Sequence, residues 1–287
     1  MVLKKVKPFG YCKGVNFAIQ SLHKIIKQFP NKQIHLINLI THNRKTNKEL
    51  LKNKNVFFHE GKDRKKIIEN ILKKTKNRKK LLFILPAHGT DPQVIKFIKE
   101  NKCQYYDFTC GYIKFMINKI KNALVENYEV YFYGKNNHPE TQCIKDTFGK
   151  KLNVFWQKKD LKSINHKKFV VCQTTTNYQD FLQIKKWFVN AVFEDTICGF
   201  CKQKQKQACN LKNSKNSIIV ISDAKSNNGI VLFKLLKTNN KYVYLLPPNL
   251  TKPIKIKKTN KIYVFTSSSV SKQQANIVLE KQFKSLA

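Results

Sequence analysis

Three cysteines occupy similar positions in the sequence and are the first candidates for chemistry. Cys12, Cys110 and Cys198 each follow a run of strand-forming residues and precede a stretch with helical periodicity. Thiolates bind zinc and iron–sulfur clusters, and three of them leave one coordination position open. The pattern therefore favours either a cubane iron–sulfur cluster with one free iron or an open zinc site with water as its fourth ligand.

Polar groups follow most of the predicted strands, at the edge where an open parallel sheet binds its ligands. Glu140 comes two residues after His138, so one loop offers a proton donor and an anion-binding ring. Hydroxyl and amide groups before two predicted helices suit an anion, because unpaired helix N–H groups point towards it. These groups are Ser226 and Asn228, ahead of Ile230, and Ser269 and Ser271, ahead of the last helix. The thiols, the acid and the anion-binding loops together indicate reductive chemistry on a phosphorylated substrate.

The elements that must position these groups alternate between strand-forming runs and amphipathic stretches, which indicates parallel βαβ units of the α/β class. Predicted strands cover 2–8, 34–39, 81–85, 129–133, 168–172, 217–221, 242–246 and 261–265. Predicted helices include 15–29, 46–52 and 91–100, and the Lys-rich stretch 62–80 is expected to form solvated helices and turns. The three cysteine-bearing units suggest a pseudo-threefold arrangement of three similar α/β domains.

The charge balance is strongly basic, with 56 Lys and Arg against 17 Asp and Glu and a formal net charge of +39. Only Arg44, Arg64 and Arg78 are arginines, whereas nucleic-acid interfaces exploit the bidentate guanidinium. The lysines are spread along the whole chain, which favours a compositional bias over a specific nucleic-acid partner. A hydrophobic fraction of 41% excludes a disordered chain, and an anionic small substrate would still be attracted.

The eight cysteines point to ligation or redox chemistry rather than to disulfides. The sequence contains no apolar run long enough for a membrane span and no recognisable leader, so we expect a cytoplasmic protein without a membrane partner. Disulfides do not persist in that compartment. Cys198-x-x-Cys201 alone would also suit a dithiol or half a zinc site, but no second such motif completes a four-cysteine site.

Seven motifs in a fixed order give a specific resemblance that covers nearly the whole chain. They are Gly10-Tyr11-Cys12-x-Gly14-Val15, Thr41-His42-Asn43, Ala87-His88-Gly89, Asp107-x-Thr109-Cys110, Gly134-x-x-x-His138-Pro139-Glu140, Gln173-Thr174-Thr175 and Asp195-Thr196-Ile197-Cys198. In this order they resemble the signature of the LytB family, the 4-hydroxy-3-methylbut-2-enyl diphosphate reductases. No single motif is decisive, whereas seven in sequence are very specific.

The resemblance implies a trefoil of three α/β domains around a central [4Fe–4S] cluster. The implied domains are residues 14–110, 111–194 and 195–287, with the N-terminal strand in 1–13 joining the third. Cys12, Cys110 and Cys198 match the cluster ligands, and one iron stays open to the substrate. Glu140, His138 and Thr174 match the catalytic groups, with Glu140 as proton donor. The implied substrate-binding residues are His42, His88, His138, Ser226, Asn227, Asn228, Ser269 and Ser271.

The implied reaction is a two-electron, two-proton reductive dehydration of (E)-4-hydroxy-3-methylbut-2-enyl diphosphate to isopentenyl and dimethylallyl diphosphates. It is the last step of the methylerythritol phosphate pathway, and ferredoxin or flavodoxin is the implied electron donor. Allylic C–O cleavage needs a Lewis acid on oxygen, an electron source and a proton for the leaving hydroxide. A cluster with one open iron supplies the first two, and Glu140 supplies the proton.

The sequence also departs from the family pattern at several positions near these motifs. Gly111 stands where the family has Pro, Cys201 where a hydroxyl is expected, Asn227 and Gly229 where Ser is expected, and Val270 where a diphosphate-binding Ser is expected. Ser269 or Ser271 is a candidate to replace the hydroxyl missing at Val270. We expect weaker or rearranged diphosphate binding with the cysteine ligands and Glu140 intact, and the role of Cys201 is left open.

Overall fold

The computed structural model describes residues 1–41, 43–61, 63–161, 167–188 and 190–283. The strands in this part of the chain are β1 Val2–Lys5, β2 Gln33–Ile37, β3 Val56–His59, β4 Leu81–Leu85, β5 Gln104–Asp107, β6 Glu129–Tyr133, β7 Leu152–Phe155, β8 Lys168–Cys172, β9 Ala191–Phe193, β10 Ser217–Ile221, β11 Val243–Leu246 and β12 Lys261–Thr266. The helices are α1 Lys13–Gln28, α2 Arg44–Leu50, α3 Arg64–Lys74, α4 Pro92–Glu100, α5 Gly111–Val125, α6 Pro139–Phe148, α7 Tyr178–Lys185, α8 Gly199–Cys209, α9 Asn227–Asn239 and α10 Lys272–Phe283.

The described strands form three parallel sheets of four strands each. Their orders are β3-β2-β4-β5, β7-β6-β8-β9 and β1-β12-β10-β11. Each sheet places its longest apolar runs in the centre, and every residue of β4 and of β10 is buried. Helices cover both faces of such sheets, which is why their central strands are continuously apolar rather than alternating.

The chain divides into two compact units. The first consists of Met1–Val15, Thr41–Lys48 and Cys198–Ala287 and contains the sheet in which β1 pairs with β12. The second consists of Asn16–Ile40 and Glu49–Ile197 and contains the other two sheets. The domain boundaries expected from the sequence, after residues 110 and 194, stay a prediction.

The α/β class with three parallel sheets is confirmed, and β4, β6, β8 and β10 have the predicted bounds. Four strands that the sequence did not predict, β3, β5, β7 and β9, lie at sheet edges. Polar residues interrupt β5 and β7, whereas β3 and β9 are only four and three residues long, so none of the four shows a long apolar run. The predicted strand 2–8 ends at Lys5, since Pro8 has no N–H for the ladder.

Residues 62–80 were expected to be solvated, and this is wrong for three side chains of α3, because Arg64, Ile68 and Ile71 are buried. Arg64 is buried at the start of α3, where its guanidinium donates to the Gly89 carbonyl and, at 3.1 Å, to Thr90 Oγ1. Lys62 lies outside the described residues. The stretch between β11 and β12 contains Pro247, Pro248 and Pro253 and forms a loop. No helix in the described part of the chain combines the length and apolar character of a membrane span.

Candidate functional site

The three predicted ligand cysteines each lie directly before a helix. Cys12 precedes α1, whereas Cys110 and Cys198 are the N-cap residues of α5 and α8. All three are half-buried, whereas Cys103, Cys143, Cys172 and Cys201 are buried. The positive end of a helix dipole favours thiolate over thiol, so these are the positions where a cysteine becomes a good ligand.

Backbone hydrogen bonds and two similar turns fix these cysteines. The Cys12 N–H donates to the Ser268 carbonyl at 3.2 Å, and the Cys110 N–H donates to the Ala87 carbonyl at 2.9 Å. Before Cys110, Asp107 Oδ1 accepts the Thr109 N–H at 2.9 Å. Before Cys198, Asp195 Oδ1 accepts the Ile197 N–H at 3.2 Å. An aspartate therefore closes the same tight turn ahead of both helices.

The thiols differ in their protonation. The Cys201 thiol and two backbone N–H groups donate to Cys198 and lower its pKa to about 6. The same hydrogen bond and complete burial raise the pKa of Cys201 well above its usual range. Burial raises the pKa of Cys143 and of Cys172 to about 12. Cys198 is therefore the thiolate of its pair, and the buried cysteines stay protonated.

Glu140 is positioned by the start of α6. His138 is the N-cap, its Nδ1 accepts the Glu140 N–H at 3.2 Å, and Pro139 occupies the first turn. The Glu140 side chain is 2% exposed. Its Oε1 accepts the Thr174 N–H at 2.7 Å and its Oε2 accepts the Thr174 hydroxyl at 2.7 Å. A carboxyl group held in this way has a defined direction in which to deliver a proton.

The loop that carries His88 packs close to α6. Gly89 has a φ of +95°, and a Cβ there would lie 2.6 Å from the Cys143 sulfur of α6. The structure thus brings the loop of the half-buried His88 against α6, and the substrate-binding role of His88 and His138 stays a prediction. His42 lies outside the described residues.

The first predicted diphosphate loop begins α9. Ser226 is the N-cap, and its hydroxyl accepts the Gly229 N–H at 3.5 Å. Asn228 lies inside the first turn rather than before the helix and is buried. Its Nδ2 donates to the Cys201 sulfur at 3.0 Å, and its Oδ1 accepts the Ser268 N–H at 3.0 Å. Asn228 therefore links a cysteine of α8 to the second predicted loop, and Asn227 beside it is also buried.

Gly229 is required by close packing at the same helix end. A Cβ at this position would overlap the Ser222 hydroxyl, lie 2.5 Å from the Ser222 Cβ and lie 3.1 Å from the Ser267 Cβ. The first turn of α9 is therefore seated directly on the ends of β10 and β12.

The second predicted loop follows β12 and begins α10. Val270 is fully buried in the hydrophobic core, so it contributes no polar group. The Ser269 hydroxyl is buried and hydrogen-bonded to the Ser267 hydroxyl at 3.1 Å. The Ser271 hydroxyl is only half-buried and accepts the Gln274 N–H at 3.0 Å, so it caps α10. Of the two candidate replacements for the missing hydroxyl, Ser271 is the more exposed.

Asn43 is a residue of this site that the sequence reasoning missed. Its Nδ2 donates to the Ser269 carbonyl at 2.8 Å and to Gln274 Oε1 at 2.6 Å. It thereby ties the segment after His42 to the second predicted loop. Its place beside His42 in the Thr41-His42-Asn43 motif was the available signal.

The described residues contain no group of three or more His, Cys, Asp or Glu side chains that could hold a metal ion. The assignment of Cys12, Cys110 and Cys198 to one cluster therefore stays a prediction.

The sequence model of the LytB family, described as LytB protein, matches residues 3–282. The 4-hydroxy-3-methylbut-2-enyl diphosphate reductase of Malacoplasma penetrans (strain HF-2) is 31% identical over 247 residues, which cover 82% of this chain and 81% of that protein. The solved structure of the E-1-hydroxy-2-methyl-but-2-enyl-4-diphosphate reductase from Plasmodium falciparum is similar with a TM-score of 0.83 and 24% identity, covering 97% of this chain and 87% of that one.

A second solved structure has the same fold with a TM-score of 0.65 and 21% identity, covering 100% of this chain and 99% of that one. It is an (E)-4-hydroxy-3-methyl-but-2-enyl diphosphate reductase, described as the terminal enzyme of the non-mevalonate pathway. The family match over nearly the whole length agrees with the order of the seven motifs. This chain belongs to the LytB family of iron–sulfur reductases.

Proposed function

We propose that this protein reduces (E)-4-hydroxy-3-methylbut-2-enyl diphosphate to isopentenyl and dimethylallyl diphosphates as the last step of the methylerythritol phosphate pathway. The observation that carries the proposal is the placement of Cys12, Cys110 and Cys198, each directly before a helix and accessible, while four of the other five thiols are buried. Each substrate molecule, with two electrons and two protons, gives one molecule of either five-carbon diphosphate and one molecule of water, so atoms and electrons balance.

The donor set fits an iron–sulfur cluster, because thiolates are its preferred ligands and helix N-termini stabilise thiolates. We propose Cys12, Cys110 and Cys198 as the ligands of one [4Fe–4S] cluster. When bound, such a cluster supplies electrons one at a time and an open iron that polarises the substrate's C4 oxygen.

Glu140 holds the proton that leaves with the substrate's hydroxyl as water. Its burial excludes competing water, and Thr174 fixes the direction of the carboxyl group through two hydrogen bonds. The Nδ1 of His138 accepts the Glu140 N–H, so the ring proton of His138 is on Nε2. The proton donor is thus preorganised before substrate enters.

The diphosphate is bound by histidines and by helix N-termini. His42, His88 and His138 are the proposed side-chain hydrogen-bond donors, and the first turns of α9 and α10 supply backbone N–H groups. Ser226, Asn227, Asn228, Ser269 and Ser271 are the proposed polar residues of these two turns. Because the Asn228 amide is already bonded at both ends, Ser226 and Ser271 carry more of the binding here.

An electron carrier must also dock on the protein. A ferredoxin or flavodoxin is the proposed donor, since each transfers one electron at a time and is typically acidic, which suits a net charge of +39. The cytoplasm is the proposed location.

The proposal is tested by purification and reconstitution without oxygen. We expect about four irons and four sulfides per chain and a broad visible absorbance. With substrate and dithionite-reduced viologen, mass spectrometry should detect both five-carbon diphosphates. Zinc in place of iron, or a loaded protein that forms neither product, would refute the proposal.

A further inference from the structure

A lysine of α8 is buried in a way that the proposed reaction does not yet explain. Lys204 is 1% exposed, although lysine is almost never fully buried without a partner. Its ammonium donates to the Thr266 carbonyl and, at 3.3 Å, to the Thr266 hydroxyl. It also lies 4.3 Å from the centre of the Phe200 ring. All of these contacts are with neutral groups.

The ionisable neighbours of Lys204 are thiols rather than carboxylates. Among the described residues, Cys201 and Cys12 are the groups whose negative charge would favour its protonated form. No described carboxylate forms an ion pair with it. Burial lowers the pKa of Lys204 to about 7, which reflects how poorly the ammonium is compensated by the protein alone.

Thr266 connects this ammonium to the loop of a predicted ligand. Its hydroxyl accepts the Gly10 N–H at 2.9 Å, and Gly10 lies two residues before Cys12. Lys204 and the Cys12 loop are therefore anchored on the same residue at the end of β12. The position of the charge relative to Cys12 is set by the fold and not by a mobile side chain.

A buried cation is retained when an anion matches it. Three thiolates around an oxidised [4Fe–4S] core have a net charge of about −1, which becomes about −2 on one-electron reduction. A fixed positive charge beside one thiolate stabilises the reduced form more than the oxidised form.

We propose that Lys204 is a positioning residue that compensates the charge of the cluster site and makes its one-electron reduction more favourable. The inference rests on the proposed function, because it requires a cluster bound by Cys12. It assigns to α8 a role in setting the reduction potential in addition to presenting Cys198.

The test compares Lys204→Gln, which removes the charge but keeps an N–H donor, with Lys204→Arg, which keeps the charge. Lys206→Gln is the matched control, because Lys206 is exposed on the same helix. Each protein is reconstituted without oxygen, and its midpoint potential is measured by redox titration followed by electron paramagnetic resonance. We expect Lys204→Gln to lower the equilibrium constant for reduction about tenfold, or about 59 mV. For Lys204→Arg and Lys206→Gln this equilibrium constant should stay within about threefold of the value for the original protein.

An unchanged potential in Lys204→Gln, or the same shift in Lys204→Arg, would overturn the inference. If Lys204→Gln retains no cluster, iron analysis of Lys204→Arg decides: retained iron supports a need for charge, and lost iron shows a packing role only. Failure of the original protein to bind iron is a separate result, which refutes the proposed function and the inference with it.

Discussion

Thr174 binds both oxygens of the Glu140 carboxylate, with its backbone N–H on Oε1 and its hydroxyl on Oε2, each at 2.7 Å. Two hydrogen bonds from one residue fix the rotation of the carboxyl group as well as its place. The pair joins the start of α6 to the loop after β8, which is a central strand of its sheet. The proton donor is therefore held at the end of a central strand.

Replacing Glu140 with Gln should leave the fold and the iron content unchanged, because the amide can still bond to Thr174. Turnover should fall by about 10²–10⁴, since the amide cannot donate a proton to the leaving hydroxyl. Steady-state turnover and iron analysis of the same preparation measure both effects. Glu126→Gln is the control, because Glu126 is exposed at the end of α5. Near-normal turnover of Glu140→Gln would remove this residue from the mechanism.

The hydroxyl of Thr174 can be tested separately from its backbone. Thr174→Val removes the donor to Oε2 and keeps the N–H donor to Oε1, so we expect turnover to fall about tenfold. Thr174→Ser retains the hydroxyl, so its turnover should stay within about threefold of that of the original protein. Turnover is compared at equal iron content. Equal losses in both variants would indicate that the methyl group, and not the hydroxyl, matters.

The cysteines divide into two classes that serine substitution separates. Cys12→Ser, Cys110→Ser and Cys198→Ser should each abolish retention of iron, whereas Cys103→Ser and Cys209→Ser should not. Cys143 and Cys172 should also tolerate substitution as regards iron, because their burial keeps them protonated. Iron and sulfide per chain are the measurement. Loss of iron from any of these four control variants would show that the ligand assignment is wrong.

Cys201 is predicted to be a hydrogen-bonded thiol and not a ligand. Burial and the bond to Cys198 keep its proton in place, and Asn228 donates to its sulfur at 3.0 Å. Cys201→Thr should keep the full iron content, because the new hydroxyl can accept from Asn228. Cys201→Val should keep the iron but raise the KM for substrate, since the Asn228 amide loses its partner. A drop in iron for Cys201→Thr would identify a fourth sulfur ligand.

His35 and His59 predict acid sensitivity of the second compact unit. Their rings share a hydrogen bond of 2.9 Å between β2 and β3. Burial, and then the charge of His59, lower the pKa of His35 to about 4. Below about pH 6.5 the unfolded chain binds a proton that the folded one does not, so stability is lost as the pH falls towards 4. The loss is at most about 3 kcal/mol, which solvent screening reduces.

The free energy of unfolding, measured with urea, should fall less between pH 7 and pH 5 for His35→Phe than for the original protein. His23→Gln is the control, because His23 is exposed. An identical pH dependence in His35→Phe would show that another group carries it.

The sequence predicted the central strands well because parallel strands covered on both faces are continuous apolar runs, as in β4 and β10. Edge strands were missed where polar residues interrupt them, as in β5, whose sequence is Gln-Tyr-Tyr-Asp. Their pairing depends on neighbours far along the chain, which no local pattern contains.

The positions of Cys110 and Cys198 directly before helices were predictable, because a strand pattern changes to a helix pattern at each of them. The burial of Lys204 was not predictable, because it is one of 56 basic residues and only the contacts of its side chain with Phe200 of the same helix and with Thr266 make it distinctive. The hydrogen bond from Asn228 to Cys201 was not predictable either, because it depends on the contact between α9 and α8.

The contact between Gly229 and Ser222 restricts how this protein can change. A serine at position 229, as its relatives' pattern would have, cannot be accommodated while Ser222 keeps its side chain. Only a paired exchange, with glycine or a comparable reduction at 222, could restore that hydroxyl. An engineered serine at position 229 therefore requires a smaller side chain at position 222, beneath the helix.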